Sequence, residues 1–452
     1  MIKGKKETVF AFGYSIASKV IVYLVLLVFA NLYLPSEYGM GSFVFNIRNL
    51  IMLFVFLGLP DALIPLLVKK KKIGSIFGIL SIITCFIFGI GLILTIKFPW
   101  IFPLVITFPL IMLTSIAMAF WRAKSKYDYP IKVGLFSIIL TLIFAYLLKD
   151  YGKFGVITAY SIGNLFSFIA IAYPIRKELI LNFKEKNNFN LSKAYFKSAL
   201  TITMIGSIFT LFNWVNSTLL GFFGKFESVA EFSIASSIAG VVAIIPFTLS
   251  MFMITRAGQI ASIKKSKRVL HRVTRISFFC TLLLSSILIS FIFPIIKIFF
   301  SQYVGSEIYI AILTIGMVFF SSYYIIYSYY VGKLKSEKAL FPVILGIMIN
   351  LILGVILIPI ISVLGVVIAI SLAHFIILLI ISKNEEIKKI LLMSFFSVFF
   401  ILIVFKLRYF GIIFSALLTP LCLFFKIITK EDLLVIKNTI YEIITNKKDN
   451  KN

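Results

Sequence analysis

Acidic residues are scarce in this sequence, which holds 17 Asp and Glu against 45 Lys and Arg, and histidine occurs only twice, as His271 and His374. A catalytic centre that moves protons needs several titratable groups near one another, and no grouping of histidine, cysteine and carboxylate is visible along the chain. The three cysteines lie singly in apolar runs, without the spacing of metal ligands or of a disulfide framework. The sequence therefore predicts no enzyme, no metal site and no cofactor.

Long polar segments are missing as well. Hydrophobic residues make up 61% of the 452 residues, and the mean hydropathy is +1.07, which is too apolar for a soluble domain of this length. The net charge of +28 falls in short joints between apolar runs, which argues against a nucleic-acid-binding protein. No joint on the predicted external side is longer than about ten residues, which argues against a membrane glycan polymerase with external catalytic loops.

The apolar runs have the length of membrane-spanning helices, about 20 residues each. They predict fourteen spans, among them 41–68, 273–300, 340–360 and 364–382. Lys and Arg concentrate in every second joint, which places both termini in the cytoplasm. We expect a multi-pass protein of the cell membrane, that is, of the inner or plasma membrane.

An internal repeat organises these spans. Residues 155–161 (GVITAYS) resemble residues 365–371 (GVVIAIS) at an offset of 210 positions, and Asn164 then corresponds to His374. Repeats six spans apart predict an all-α protein of two pseudo-symmetric six-helix bundles plus two C-terminal helices. The predicted segments are an N-terminal bundle (1–175), a cytoplasmic linker (176–196), a C-terminal bundle (197–382), helices 13 and 14 (383–428) and a basic amphipathic tail (429–452).

Two cations lie deep within the first two spans. At about 1.5 Å of rise per residue, Lys19 lies about 24 Å before Pro35, and Arg48 lies about 20 Å after it. Ionised side chains at such depth usually face a cavity on a substrate path. Alternatively, Arg48 pairs with a neighbouring carbonyl and Lys19 extends to the membrane surface. Arg256 either turns into the mouth of the same cavity or is an ordinary cytoplasmic anchor, depending on whether its helix continues.

Other polar residues within the spans have two interpretations. They either bind sugar hydroxyls or hydrogen-bond between helices, which is the commoner use. Asp61, beside Pro60, is predicted to be a gate, a helix cap or a substrate contact. Deep carboxylates are almost absent, which argues against a cation-coupled multidrug antiporter because a hard cation needs oxygen ligands. The polar residues in question are Asn46, Asn49, Asn213, Asn216, Asn350 and His374.

Several short segments together resemble one family. Leu34-Pro35-Ser36-Glu37-Tyr38-Gly39, Leu219-Leu220-Gly221 and Gly332-Lys333 occur in the order typical of the polysaccharide (O-antigen type) flippases. These belong to the multidrug/oligosaccharidyl-lipid/polysaccharide (MOP) exporter superfamily. The resemblance implies a cationic central cavity that opens alternately to the two sides of the membrane. One departure is Asn216, since many relatives have an acidic residue at the corresponding position.

The expected function is a flippase that moves a polyprenyl-(di)phosphate-linked oligosaccharide to the outer leaflet for cell-surface polysaccharide or lipopolysaccharide biosynthesis. Lys19, Arg48 and Arg256 would bind the phosphate, because a neutral groove could not hold this group in hydrocarbon. A flippase for the peptidoglycan lipid precursor is the first alternative, and a cation-coupled multidrug antiporter is the second. Expected partners are the lipid-linked substrate, anionic membrane lipids at the cytoplasmic loops, and a polysaccharide polymerase or glycosyltransferases, but not nucleic acid.

Overall fold

The computed structural model is helical throughout the part of the chain that it describes, and no strand occurs in that part. The chain divides into two compact units, one within Leu24–Ser233 and the other containing Ile234–Asn452. The predicted boundary at 176–196 remains a prediction. The described residues are 25–56, 67, 74–124, 128–184, 211–260, 262–333, 335, 337–382, 387–424 and 427–434.

The first unit is organised around α6. This helix packs against α2, α4 and α5, and it buries the small residues Gly155, Ala159 and Gly163 along its length. Small side chains let helix backbones approach closely, which favours association within lipid. The helices of this unit are α1 (25–32), α2 (Pro35–Phe56), α3 (Gly74–Lys97), α4 (Phe102–Ala123), α5 (Asp128–Leu147), α6 (Gly152–Ala172), α7 (Arg176–Lys184), α8 (211–222) and the first half of α9 (Phe226–Gly240).

The second unit is organised around α13, whose side chains are buried along nearly its full length. It packs against α10, α11 and α14. Gly316 leaves room for Ser371 of α14, because a β-carbon on Gly316 would lie 2.8 Å from the Ser371 hydroxyl oxygen. The helices that follow α9 are α10 (Ile244–Gln259), α11 (Ile263–Ser290), α12 (Ile292–Phe299), α13 (Glu307–Gly332), α14 (Glu337–Ile381), α15 (Ile387–Leu407), α16 (Gly411–Ala416), α17 (Leu418–Phe424) and α18 (430–434).

The sequence repeat at offset 210 has a counterpart in the backbone. Gly152, at the start of α6, has φ 53° and ψ −131°. Ser362, in the break that divides α14, has φ 50° and ψ −125°. Three residues later, Gly155 and Gly365 each pack against the backbone of the preceding helix, at Leu148 and Leu357 respectively. The two positions thus reverse the chain in the same way.

Seven helices among the described residues are long and apolar enough to cross a membrane. This supports a multi-pass protein, whereas the count of fourteen remains a prediction. The break at Ile361 and Ser362 agrees with the predicted joint between spans 340–360 and 364–382.

Two predicted helix starts were wrong. Residues 35–39 do not form a separate turn but the beginning of α2, because Pro35 fits the first helical position and Glu37 caps it. The second is the span predicted from residue 273, since α11 begins at Ile263 and carries a basic stretch that was expected to be a joint. Ser262 caps this start by accepting a hydrogen bond from the Lys265 amide.

The C-terminal segment 427–434 folds back onto α11. Ile427 and Ile428 are buried, and the Asp432 carboxylate is inaccessible to solvent. This carboxylate accepts hydrogen bonds from Arg275 Nε at 3.0 Å and from the Thr429 amide at 3.1 Å, and it forms an ion pair with Arg272 Nε at 3.2 Å. The predicted amphipathic helix begins here, capped by Thr429 and Asp432, but its remainder, 435–448, lies outside the described residues.

Candidate substrate-binding site

The start of α2 fixes the helix on which the deep arginine stands. Glu37 Oε2 accepts a hydrogen bond from the Leu34 amide at 3.2 Å, so the carboxylate reaches back over the first turn. Tyr38, one position later, is buried. The charged residue of the Leu34–Gly39 motif therefore caps a helix.

Glycines in the same motifs allow close packing. A β-carbon on Gly39 would lie 1.7 Å from the Phe226 carbonyl oxygen, and one on Gly41 would lie 2.4 Å from the Val156 side chain. A β-carbon on Gly221, in the Leu219–Gly221 motif, would lie 2.0 Å from the Phe43 ring. These segments, which carry the family resemblance, thus act in the packing of α2 against α6, α8 and α9.

Arg48 lies thirteen residues along the unbroken helix α2, and only 9% of it is exposed. Its Nε and Nη2 donate to Asn49 Oδ1 at 3.3 and 3.0 Å, and its guanidinium carbon stands 4.7 Å from the centre of the Phe45 ring. Nη1 is buried without a hydrogen-bond partner, and no carboxylate in the described part of the chain pairs with this arginine. A buried charged donor left unsatisfied costs more than about 1–3 kcal/mol, so the site favours an anion that would accept from Nη1.

Aromatic rings support the arginine from one side. Phe45, under the guanidinium, contacts Tyr160 of α6 at a centroid distance of 4.3 Å, and Tyr160 stacks on Phe29 at 4.6 Å. Tyr33 continues this row and donates from its hydroxyl to the Ala145 carbonyl at 2.8 Å. The row holds Phe45 in place, and Phe45 in turn offers its π face to the cation.

The asparagines of α2 and α8 have different hydrogen-bond partners. Asn49 accepts hydrogen bonds from the Arg48 guanidinium. Asn46 donates to Ser217 of α8 at 2.7 Å, which is a hydrogen bond between helices. Asn216 is fully buried and donates to the Phe212 carbonyl within its own helix, and Asn213 is half-buried on the same helix. Asn46 and Asn216 are thus held in protein contacts, and Asn49 is the amide next to the proposed anion.

The helix that carries Arg256, in the second unit, continues three residues beyond this arginine. α10 extends to Gln259, and the Ile260 amide donates to the Arg256 carbonyl. The side chain is exposed, and its guanidinium carbon lies 5.5 Å from the centre of the Phe252 ring. Its role in a cavity remains a prediction.

His374 and Asn350 are fully buried in the second unit. The His374 Nδ1 lies 3.1 Å from the Tyr323 hydroxyl of α13, and the imidazole also contacts the Phe320 ring at a centroid distance of 5.6 Å. This histidine therefore connects α14 to α13, which is the interhelical use weighed for it. Lys19 and Asp61 lie outside the described residues.

Sequence reasoning missed two features. The aromatic row under Arg48 joins residues that are far apart along the chain, so no local pattern marks it. The buried Asp432 was grouped with an exposed tail, although Thr429 and Asp432 have the spacing of a helix-capping pair.

No protein-family profile and no curated protein matches the chain. Solved structures do match. The lipid II flippase MurJ in an inward closed conformation is 18% identical, with a TM-score of 0.74 over 94% of this chain and 100% of that one. An inward-facing multidrug resistance MATE family transporter of the MOP superfamily is 14% identical, with a TM-score of 0.64 over 86% and 96%. The chain therefore shares its fold with a lipid II flippase and with a MATE transporter.

A second MATE structure, in a bent conformation, has a similar fold, with 14% identity and a TM-score of 0.56 over 89% of this chain and 97% of that one. At these identities the likeness concerns the fold.

Proposed function

We propose that this chain is a flippase for a polyprenyl-(di)phosphate-linked oligosaccharide. It would move this lipid from the cytoplasmic to the outer leaflet by alternating access, for cell-surface polysaccharide biosynthesis. The observation that carries the proposal is the Arg48 guanidinium, which is buried about 20 Å along α2, a predicted membrane span, and has one nitrogen without a partner. A phosphate oxygen supplies the charge and the acceptor that Nη1 lacks.

Lys19 and Arg256 are proposed as further phosphate ligands, and both termini are proposed to lie in the cytoplasm. With two or three such cations, the empty carrier would respond to the membrane potential, since one charge moved through the full field changes the energy by about 2.3 kcal/mol per 100 mV. Phosphate binding would neutralise these charges and release the carrier to open outward. Collapsing the potential should then slow turnover, and an unchanged rate would exclude this resetting step.

The peptidoglycan lipid precursor is the second candidate substrate. The likeness to the structure of a lipid II flippase supports this second candidate. The deep arginine fits both candidates, because lipid II and lipid-linked oligosaccharides share the phosphate chemistry that Arg48 would recognise. The MATE likeness raises a cation-coupled antiporter as a third candidate. It is disfavoured because no carboxylate in the described part of the chain accompanies Arg48, and a hard cation would require oxygen ligands.

The test is transbilayer movement of fluorescent polyprenyl-diphosphate oligosaccharide in proteoliposomes, with lipid II in a parallel set. Arg48→Ala and Asn49→Ala should both reduce flipping, the first to background. Lys149→Ala removes an exposed cation of the same unit and is the matched control. Equal flipping by wild type and Arg48→Ala would show that Arg48 is not part of the substrate-binding site. Export of cationic dyes against an ion gradient, without lipid movement, would establish the antiporter.

If the first proposal holds, a polysaccharide polymerase or the glycosyltransferases that make the substrate are proposed partners. They would act before or after the flippase on the same lipid.

A further inference from the structure

The first three turns of α11 carry a concentrated positive charge. Between Ile263 and Arg275 the helix contains six Lys and Arg residues, and the apolar run follows directly at Ile276. At 1.5 Å per residue, this basic part extends about 18 Å along the helix axis. Because the same helix continues as a membrane span, its basic part lies at the boundary between the hydrocarbon and the aqueous phase.

The charges lie on one side of this helix. At about 100° per residue, Lys264, Arg268 and Arg272 follow one another along a stripe, and Lys265 lies beside it. Ser266, Leu270 and Val273 are buried on the opposite side against the second unit. Lys264, Lys265 and Arg268 therefore lie together on an exposed face of the second unit.

The stripe has two parts with different partners. At its inner end, Arg272 pairs with Glu431 at 2.6 Å and Arg275 pairs with Asp432 at 3.0 Å, so the C-terminal segment neutralises these two arginines. At its outer end, which is the end farther from the apolar run, Lys264, Lys265 and Arg268 are exposed. No carboxylate of the described residues pairs with them. We call these three residues the outer cations.

We propose that the outer cations form a binding surface for the headgroups of anionic phospholipids in the inner leaflet. Arg268 lies about 10 Å along the helix from Arg275, which is close to the Debye length of about 8 Å at physiological salt. Ile263, whose side chain is 67% exposed, adds an apolar group next to Lys264. Headgroup phosphates match the three cations, since polybasic segments beside a span attract anionic lipid.

This inference does not depend on the identity of the transported lipid. It concerns lipids that bind at the cytoplasmic surface of the second unit, whereas Arg48 lies within the first unit. The two sites can therefore be tested separately.

The experiment is titration of the purified full-length protein in neutral detergent with phosphatidylglycerol or phosphatidylcholine, measured by native mass spectrometry. The triple variant Lys264→Gln, Lys265→Gln, Arg268→Gln should bind phosphatidylglycerol on the order of 100-fold more weakly than wild type, as expected for three interfacial cations. Phosphatidylcholine binding should not change. The charge-matched control replaces Lys97, Lys149 and Lys153, three exposed lysines of the first unit, by Gln.

A second measurement needs no variant. Raising NaCl from 0.05 to 0.5 M should weaken phosphatidylglycerol binding by wild type, because exposed charges are screened. Unchanged binding by the triple variant, or an equal loss in the control, would overturn the proposal. So would displacement of the lipid by millimolar inorganic phosphate, which would identify a free-anion site.

Discussion

Ser362 is predicted to be strained, and replacing it by glycine should stabilise the protein. Its φ of 50° and ψ of −125° lie in a region that a β-carbon makes unfavourable, at a cost of about 1–3 kcal/mol. Glycine removes that cost. Its greater conformational freedom in the unfolded chain, however, lowers the free energy of unfolding by about 0.5–1 kcal/mol. The net expectation for Ser362→Gly is a gain of about 0.5–2 kcal/mol in the free energy of unfolding.

The structural repeat provides the reciprocal variant. Gly152 has nearly the same φ and ψ, and a β-carbon there would lie 2.4 Å from Glu37 Oε1, which belongs to the carboxylate that caps α2. Gly152→Ala should therefore destabilise the protein by about 2–4 kcal/mol, from backbone strain and from displacement of the cap. Gly134→Ala is the matched control, since a β-carbon at Gly134 meets nothing within 4 Å.

The assay is thermal and denaturant unfolding of the detergent-purified variants, followed by intrinsic fluorescence. Ser362→Ala is included because it loses the hydroxyl but keeps the β-carbon, so its difference from Ser362→Gly measures the strain minus the unfolded-chain entropy of glycine, without any effect of the hydroxyl. The reasoning would be refuted if Ser362→Gly were no more stable than Ser362→Ala. It would also be refuted if Gly152→Ala were as stable as Gly134→Ala.

Three further outcomes are expected. Arg48→Lys keeps the charge but loses the planar fork held by Asn49, so flipping should fall to an intermediate rate between wild type and alanine in the proteoliposome assay. Gly39→Ala should lower the free energy of unfolding by about 2–4 kcal/mol, since its β-carbon would overlap the Phe226 carbonyl; stability equal to wild type would contradict the close packing. Asp432→Asn should cost about 1–3 kcal/mol at pH 7, because Arg275 loses its anionic partner.

The Asp432 effect should depend on pH. Burial alone would raise the pKa of this carboxyl, but hydrogen bonds from Arg275 and Thr429 outweigh burial and hold its pKa below the ordinary value. A depressed pKa contributes stability above the ordinary value of about 3.9, and this contribution is lost as the pH falls through the folded-state pKa. The stability difference between wild type and Asp432→Asn should therefore shrink below about pH 4; a constant difference down to pH 3 would contradict this assignment.

Local patterns predicted the parts of the fold that local physics determines. The break within α14 was visible in the sequence as a joint between two apolar runs, and the repeat at offset 210 was visible as two similar sequence segments. The backbone conformations of Gly152 and Ser362 agree with both predictions. Counting residues along one helix predicted the depth of Arg48 in the membrane, which stays a prediction, and the structure shows that the side chain is buried. Helix starts were predicted less well, since residues 35–39 resemble a turn and only the hydrogen bond from Leu34 to Glu37 distinguishes a cap.

Contacts between distant positions could not be predicted from the sequence. The aromatic row under Arg48 joins Phe45 to Tyr160, and nothing near either residue marks the other. The pairing of Arg275 with Asp432 is likewise determined by the packing of whole helices. The identity of the substrate stays open for a related reason, because one phosphate-binding arginine does not distinguish among the sugars attached to the phosphate.

The bond between Arg275 and Asp432 spans 157 positions of the chain. It can form only after residue 432 has been synthesised, because the two partners lie that far apart along the chain. Arg272 and Arg275 therefore stay without the Asp432 carboxylate until the C-terminal segment has docked on α11. A cross-linking reagent that distinguishes the closed pair would report docking of this last described segment in the cell.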